Sequence, residues 1–313
     1  MSVTKLRKIN PVVLRRRSQS GAVKVIRFCF LLGLCYLFLF PIFYLLLQAF
    51  SDPTSLTNPN VVWVPLKWTL ANVEHAIVKL NFWNAAKMSL IHAVFGTIAS
   101  LISCSLIGYG FARYKFAEKG IAFVCVILTI IVPPQTLLIT QYLQYADFLG
   151  TGLSLLDTPA VLILPALFGC GLRNGLFIFI FRQFFLGLPK DLEEAAWVDG
   201  CNPLRTFISI IIPSSGPGIV TVTLFSFVWH WNDYYYSAML YRTPERLALV
   251  PMMKSISSSL ITDIKDGGIS GVALNSRGVL GAAGLLTIIV PLVLYIFLQR
   301  YFVESIERTG IVG

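Results

Sequence analysis

Acidic residues are scarce in this chain, and one stretch gathers several of them. Residues 188–213 read LPKDLEEAAWVDGCNPLRTFISIIIP, with Asp191, Glu193, Glu194 and Asp199 close together. No histidine or serine sits beside these carboxylates to make an acid–base pair, so their spacing points to a helix rather than to catalysis. Pro189 suits a helix start, and acids in the first turn complement the positive dipole end. Ala195 and Ala196 are strong helix formers without bulk, and Gly200 stands where a left-handed residue would end the helix. The expectation is a short helix of two to three turns whose paired alanines offer a smooth face to a groove on another protein. The alternative is an interfacial helix that only covers the ends of its neighbours.

A second set of polar residues lies inside apolar runs: Gln135, Gln141, Arg173, Asn174, Trp229, Asn232 and Asp233. An unpaired arginine at bilayer depth costs about 2.5–3.5 kcal/mol on insertion scales. Arg173 therefore either faces a water-filled route or is a paired or snorkelled structural charge. Trp229, Trp231 and the run Tyr234, Tyr235 and Tyr236 either stack on a solute or form the interfacial aromatic belt. His75, His92 and His230 lack metal-ligand spacing. Cys29, Cys35, Cys104, Cys125, Cys170 and Cys201 contain no C-x-x-C pair and read as small buried hydrophobes. No H-E-x-x-H metalloprotease motif and no G-x-x-x-x-G-K-[ST] phosphate loop occurs, so no cofactor or metal is expected on this chain.

These residues must be positioned by membrane helices. Of 313 residues, 56% are hydrophobic and 13% charged, and the mean hydropathy is +0.74. Soluble domains are about one-quarter charged. Apolar runs near the ~20 residues needed to cross hydrocarbon recur along the chain, and the alternating segments of a β-barrel are absent. The predicted class is all-α and polytopic, with six spans at about residues 26–48, 85–112, 121–142, 159–181, 218–236 and 279–298. Pro133 and Pro134 should kink the third. Gly169, Gly171 and Gly175 loosen the fourth, and Gly278, Gly281, Ala282 and Gly284 give the sixth a small-residue packing face.

The net charge of +10 is concentrated ahead of the first span, in Lys5, Arg7, Lys8, Arg15, Arg16, Arg17, Lys24 and Arg27. That distribution follows the positive-inside rule and places the N-terminus in the cytoplasm, with no nucleic-acid partner expected. Residues 1–25 form a basic cytoplasmic segment and residues 26–313 the span-bearing domain. The loop at 143–158 holds Asp147 and Asp157 without lysine or arginine and reads external. The segment at 187–217 then falls in the cytoplasm, as do both termini. The loop at 240–278 must be external despite Arg242, Arg246, Lys254, Lys265 and Arg277. Its Ser and Gly content (SISSSL, DGGISG) fits either filler or a mobile arm.

Glu194-Ala195-Ala196, Gly200, Ile210 and Ile212-Pro213 keep the spacing of the signature loop of bacterial ABC-importer permeases, with Ile212 where that pattern usually has leucine. Gly108 to Arg113 (GYGFAR), residues 131–135 (IVPPQ), Phe181 to Phe185 (FRQFF), Trp231-Asn232-Asp233 and Gln299 to Val303 (QRYFV), with a terminal Gly-x-x-Gly from Gly310 to Gly313, extend the likeness across residues 26–313. The chain resembles the carbohydrate-importer branch, and within it the smaller maltose-type permease.

That resemblance implies a type I permease fold in the bacterial cytoplasmic membrane. It implies a non-catalytic subunit of an ATP-driven importer of sugars or oligosaccharides. The implied partners are a second permease, usually a different chain, two ATPase subunits carrying ATP and Mg, and an extracytoplasmic solute-binding protein. Glu193, Glu194, Ala195, Ala196, Asp199 and Gly200 would form the coupling helix, and the polar set around Arg173 the substrate pathway, meeting sugar hydroxyls or an acidic sugar. The alternatives are a permease for another polar solute such as glycerol phosphate, a stand-alone channel, or a membrane enzyme.

Overall fold

A computed structural model describes residues 11–58, 64–265 and 272–310. Lys5, Arg7 and Lys8, the run DGGISG after Lys265 and the last three residues, with Gly313, lie outside the described residues. Helices dominate, and among the described residues no strand occurs beyond one isolated bridge between Ser51 and Trp68.

The first helix, α1 (Pro11–Phe50), is followed by the short α2 (Pro53–Thr57) and α3 (Ala71–Lys79). Next comes α4 (Phe82–Arg113), the central helix, about 48 Å long at 1.5 Å per residue. Its buried positions are mostly small, among them Ala93, Gly96, Ser100 and Gly108, so its neighbours approach closely. After it come α5 (Lys119–Ile131), α6 (Leu138–Ala146), α7 (Ala160–Leu167) and α8 (Asn174–Gly187). The segment at 187–217 comprises α9 (Asp191–Val198), α10 (Pro203–Thr206), a π-helical turn (Phe207–Ile211) and α11 (Ile212–Ser214). The rest is α12 (Gly216–Trp231), α13 (Tyr235–Leu240), α14 (Leu249–Lys265) and α15 (Val272–Gly310).

Among the described residues, three stretches are long and apolar enough to cross a membrane: Val23–Phe50, Phe82–Arg113 and Arg277–Arg300. The number rises to five if each of two sharply bent helix pairs counts as one span. Among the described residues the helices thus give three to five candidate spans where the apolar runs suggested six. The expected third span breaks after Ile131 and its two parts diverge by 98°. Val132 and Pro133 are both extended, at ψ 122° and 127°, because each precedes a proline whose ring excludes the helical conformation. The expected fourth span is interrupted between Leu167 and Asn174, where Gly169 (φ +74°) and Arg173 (φ +60°) are left-handed. The expected fifth stops at Trp231 and restarts as α13. It also meets the segment Pro203–Ser214 at 80°.

The segment at 240–278 differs from expectation too. Its serine-rich part is the helix α14, rooted by Leu249 and Ile256 in the core. The small-residue face of α15 is used within the chain. A Cβ added at Gly281 would meet Gln48 Cβ at 2.6 Å, and one at Gly278 would meet the Asn72 side chain. Asn72 is buried and donates to the carbonyls of Ser51 (2.7 Å) and Gln48 (3.3 Å), capping the end of α1.

At the end of the helices away from α9, Asp157 clasps two loops together. It is left-handed at φ +63°. Its carboxylate accepts from the Arg242 and Thr243 amides, both at 3.2 Å, and from the Thr243 hydroxyl. Its carbonyl accepts from Arg246, and Arg242 lies over the Tyr142 ring. Partial desolvation raises the Asp157 pKa, but the Thr243 hydroxyl and the Thr243 and Arg242 amides outweigh it and hold it below the usual carboxylate value. The clasp is thus at full strength above the ordinary value near 3.9 and is lost only as pH falls through the lower folded value. Thermal unfolding of Asp157→Asn is expected below wild type by a constant margin between pH 5 and 8, with the gap closing below about pH 4. A gap that changes between pH 6 and 8 would assign the effect to another group.

Candidate functional site

Two places gather the functional candidates, one at the helix α9 and one where the helices break.

The first is α9. Gly200 adopts φ +78°, its amide donates to Trp197 O at 3.0 Å, and the Cys201 amide donates to Ala196 O at 2.9 Å. This is a Schellman closure, so Gly200 stops the helix in the expected way. Asn202 then opens α10 by accepting from the Arg205 amide at 2.8 Å.

The side chains divide between two faces. Glu193 and Ala196, one turn apart, are buried against the rest of the chain, 4% and 3% exposed. Glu194, Ala195, Asp199 and Gly200 are exposed, with Trp197 and Val198 beside them at 50% and 88%. The two alanines therefore do not share one outward face, because neighbours in a helix point about 100° apart.

Glu193 makes the ion pair that seats the helix. Arg113 Nε, at the end of α4, donates to Glu193 Oε1 at 2.6 Å, and both side chains are 6% exposed. The Arg113 Nη2 group also donates to Leu188 O at 2.8 Å, fixing the turn before α9. Beneath this pair lies an aromatic cluster. Tyr109 meets Phe185 edge-on at 5.6 Å and Phe207 at 4.9 Å, and Phe181 stacks on Phe185 at 5.7 Å. The π-turn inserts Phe207 and Ile211 into this cluster. This internal partner for α9 is not legible in the local sequence. Arg113 and Glu193 are 80 residues apart, and nothing local in either segment names the other.

The second place is a cavity of about 190 Å³ lined by Pro134, Gln135, Leu172, Arg173, Trp229, Asn232 and Asp233 with Tyr234, Tyr235 and Tyr236. These residues are the edges of the three helix breaks, which therefore converge on one space. Non-helical backbone at membrane depth is tolerated where it lines a cavity or is covered by protein. Five of the seven polar candidates meet here: Gln135, Arg173, Trp229, Asn232 and Asp233. Gln141 lies in an adjoining void of about 20 Å³ that Asp233 and Tyr236 share.

Asn174 does not join them, although it follows Arg173. It is 1% exposed, accepts from Ser100 Oγ at 2.9 Å and donates to Ala166 O at 3.0 Å. Starting a helix one residue after a left-handed arginine turns Asn174 inward, where it ties α8 to α4 and α7.

Within the cavity the groups have distinct tasks. Asp233 is 8% exposed and accepts from the Tyr236 amide (3.3 Å), the Ser237 amide (2.8 Å) and the Ser237 hydroxyl (3.0 Å), capping α13. Trp229 stacks on Phe225 at 5.7 Å and carries the Arg173 guanidinium 5.6 Å from its ring centroid. No described carboxylate pairs with Arg173, so the paired structural charge weighed from the sequence is not realised. His92 and His230 have structural partners: His92 Nε2 meets the Tyr241 hydroxyl at 2.6 Å and His230 Nδ1 meets Ser226 O at 2.8 Å. Among the described residues no cluster of metal-ligating side chains occurs.

Known proteins share this architecture. A crystal structure of a bacterial ABC transporter involved in the import of the acidic polysaccharide alginate superposes with a TM-score of 0.73 at 24% identity, covering 90% of this chain and 98% of that one. It shows the fold. The arabinooligosaccharides transport system permease protein AraQ of Halalkalibacterium halodurans is 26% identical over 90% of this chain and 93% of its own length. The osmoprotective compounds uptake permease protein GgtD of Synechocystis is 31% identical over 79% of this chain and 77% of its own. The family described as binding-protein-dependent transport system inner membrane component matches residues 104–308, which include α9 and the whole of the break at Arg173. The expected kinship with bacterial ABC-importer permeases thus holds, and the chain belongs to the binding-protein-dependent transport system inner membrane component family.

Proposed function

We propose that this chain is one of two permease subunits of an ATP-driven importer for sugars or oligosaccharides in the bacterial cytoplasmic membrane. Six crossings, the fourth built from α7 and α8, leave both termini and α9 in the cytoplasm. ATP and Mg reside on two partner ATPases, and an external binding protein delivers the solute. The observation that carries this reading is the two-sided character of α9. The ion pair to Arg113 fixes its inner face, while Glu194, Ala195, Trp197 and Val198 remain uncovered. A short helix seated rigidly on a long central span can pass a partner's movement to the cavity at the helix breaks. The names of the relatives, arabinooligosaccharide and alginate transport among them, support a carbohydrate solute.

The test is affinity purification from host membranes beside a Glu194→Lys, Val198→Glu variant, both changes lying on the exposed face. An ATPase and a second permease should accompany the wild type, and the ATPase should be lost from the variant while the second permease stays. A wild type that purifies alone, or an ATPase retained by the variant, would overturn the coupling role of α9.

A further inference from the structure

Resting on the import reading above, we infer that the cavity at the helix breaks recognises a solute bearing an oxyanion, a carboxylate or a phosphate ester, through Arg173. Four observations converge on this.

Arg173 is left-handed at φ +60°. That conformation costs a residue with a Cβ roughly 1–2 kcal/mol, and glycine or asparagine would occupy it more easily. Gly169, four residues earlier, shows that the same break does use glycine where only geometry is needed. As the residue that opens α8, this exposed, left-handed arginine stands at the edge of the break, with its guanidinium at the cavity.

That guanidinium has no carboxylate partner among the described residues. The carboxylate that shares its cavity, Asp233, is engaged by three donors of α13 and by the positive end of that helix. The uncompensated charge facing the space is thus positive.

Trp229 is occupied on one side by Phe225 and bears the Arg173 guanidinium. It is therefore not an open platform for a sugar ring. Its task is to orient a planar cation, and planar guanidinium forks match carboxylate and phosphate oxygens.

The remaining lining supplies neutral polar groups, the amides of Gln135 and Asn232 and the hydroxyls of Tyr234 and Tyr235. These suit the hydroxyls of a sugar or polyol attached to the anionic group. The volume of about 190 Å³ leaves room for a small polar unit.

The experiment is site-resolved labelling of arginines with an α-dicarbonyl reagent, read by mass spectrometry on the purified complete transporter. The probes are galacturonate, glycerol 3-phosphate, neutral galactose and sodium chloride, at matched ionic strength. Arg113, buried in its ion pair, and Arg242, exposed on the outer face, are internal references. Arg173 should label readily. A probe that fills nine-tenths of the sites should slow it about tenfold with no change at Arg242. Protection by galacturonate alone identifies an acidic sugar, and protection by glycerol 3-phosphate alone a phosphate ester. Protection by both leaves the shared oxyanion chemistry standing. Protection by galactose or chloride to the same degree, protection by none, or an Arg173 that never labels would each overturn the inference. Its failure is separate from that of the import reading, which stands or falls on partner loss from the α9 variant.

Discussion

Truncating Arg113 to alanine is expected to destabilise the seating of α9 by about 3–5 kcal/mol, because it leaves the Glu193 carboxylate buried without its partner. Glu193→Ala strands the guanidinium in the same way, although Arg113 keeps its bond to Leu188 O. Both single variants should lower the unfolding temperature of the purified transporter and weaken retention of the ATPase. Joint replacement by apolar residues of similar size, Arg113→Met with Glu193→Leu, should recover most of the unfolding temperature, since it removes two desolvation costs together. If the single variants unfold within a degree of wild type, the pair contributes no more than a surface salt bridge and cannot be what holds the docking helix.

The second large effect is expected at Gly108. A Cβ there would stand 2.7 Å from Phe181 Cβ, 3.1 Å from Arg182 N and 3.2 Å from Ile178 O. Two of these three are backbone atoms, which cannot rotate away, so α4 and α8 must part. Overpacking of this kind costs about 1–3 kcal/mol. A methyl group at Gly110, on the same helix, would have open space for 4 Å around it, so the alanine variant there should gain up to about 1 kcal/mol from helix propensity. Thermal unfolding of Gly108→Ala and Gly110→Ala side by side should therefore move in opposite directions. Movement in the same direction would mean that the α4–α8 approach tolerates adjustment. Because α8 begins at Asn174, prising it from α4 also displaces Arg173, and weaker oxyanion protection should accompany the instability.

Much of this could be read from residue types. Pro189, the early acids and Gly200 specify a short helix with a left-handed end, and α9 closes in that way. Pro133 and Pro134 announce a break, and the family likeness in GYGFAR and IVPPQ points to the right fold. What was hidden is whatever depends on pairing across the chain. The burial of Glu193 requires knowing that α4 ends beside α9. The inward turn of Asn174 depends on a left-handed Arg173, which no local rule assigns to an arginine. Apolar run length also draws single spans through 159–181 and 218–236, with only glycines to loosen the first of them, because apolar composition persists on both sides of each break. Hydropathy averages over a few turns, whereas two or three residues with non-helical dihedrals are enough to redirect a helix.

The packing of α1 against α15 bears on how the protein is made. Gln48 and Leu45 of α1 lie against Gly281 and Gly284 of α15, while Phe28, Phe30 and Phe38 along α1 remain exposed. A ribosome completes α1 first, and its docking surface emerges roughly 220 residues later, about ten to forty-five seconds at ~5–20 residues per second. During that interval the helix must wait in lipid, where its internally satisfied backbone makes it stable alone. Among the described helices, α1 thus completes its packing only once α15 has been made.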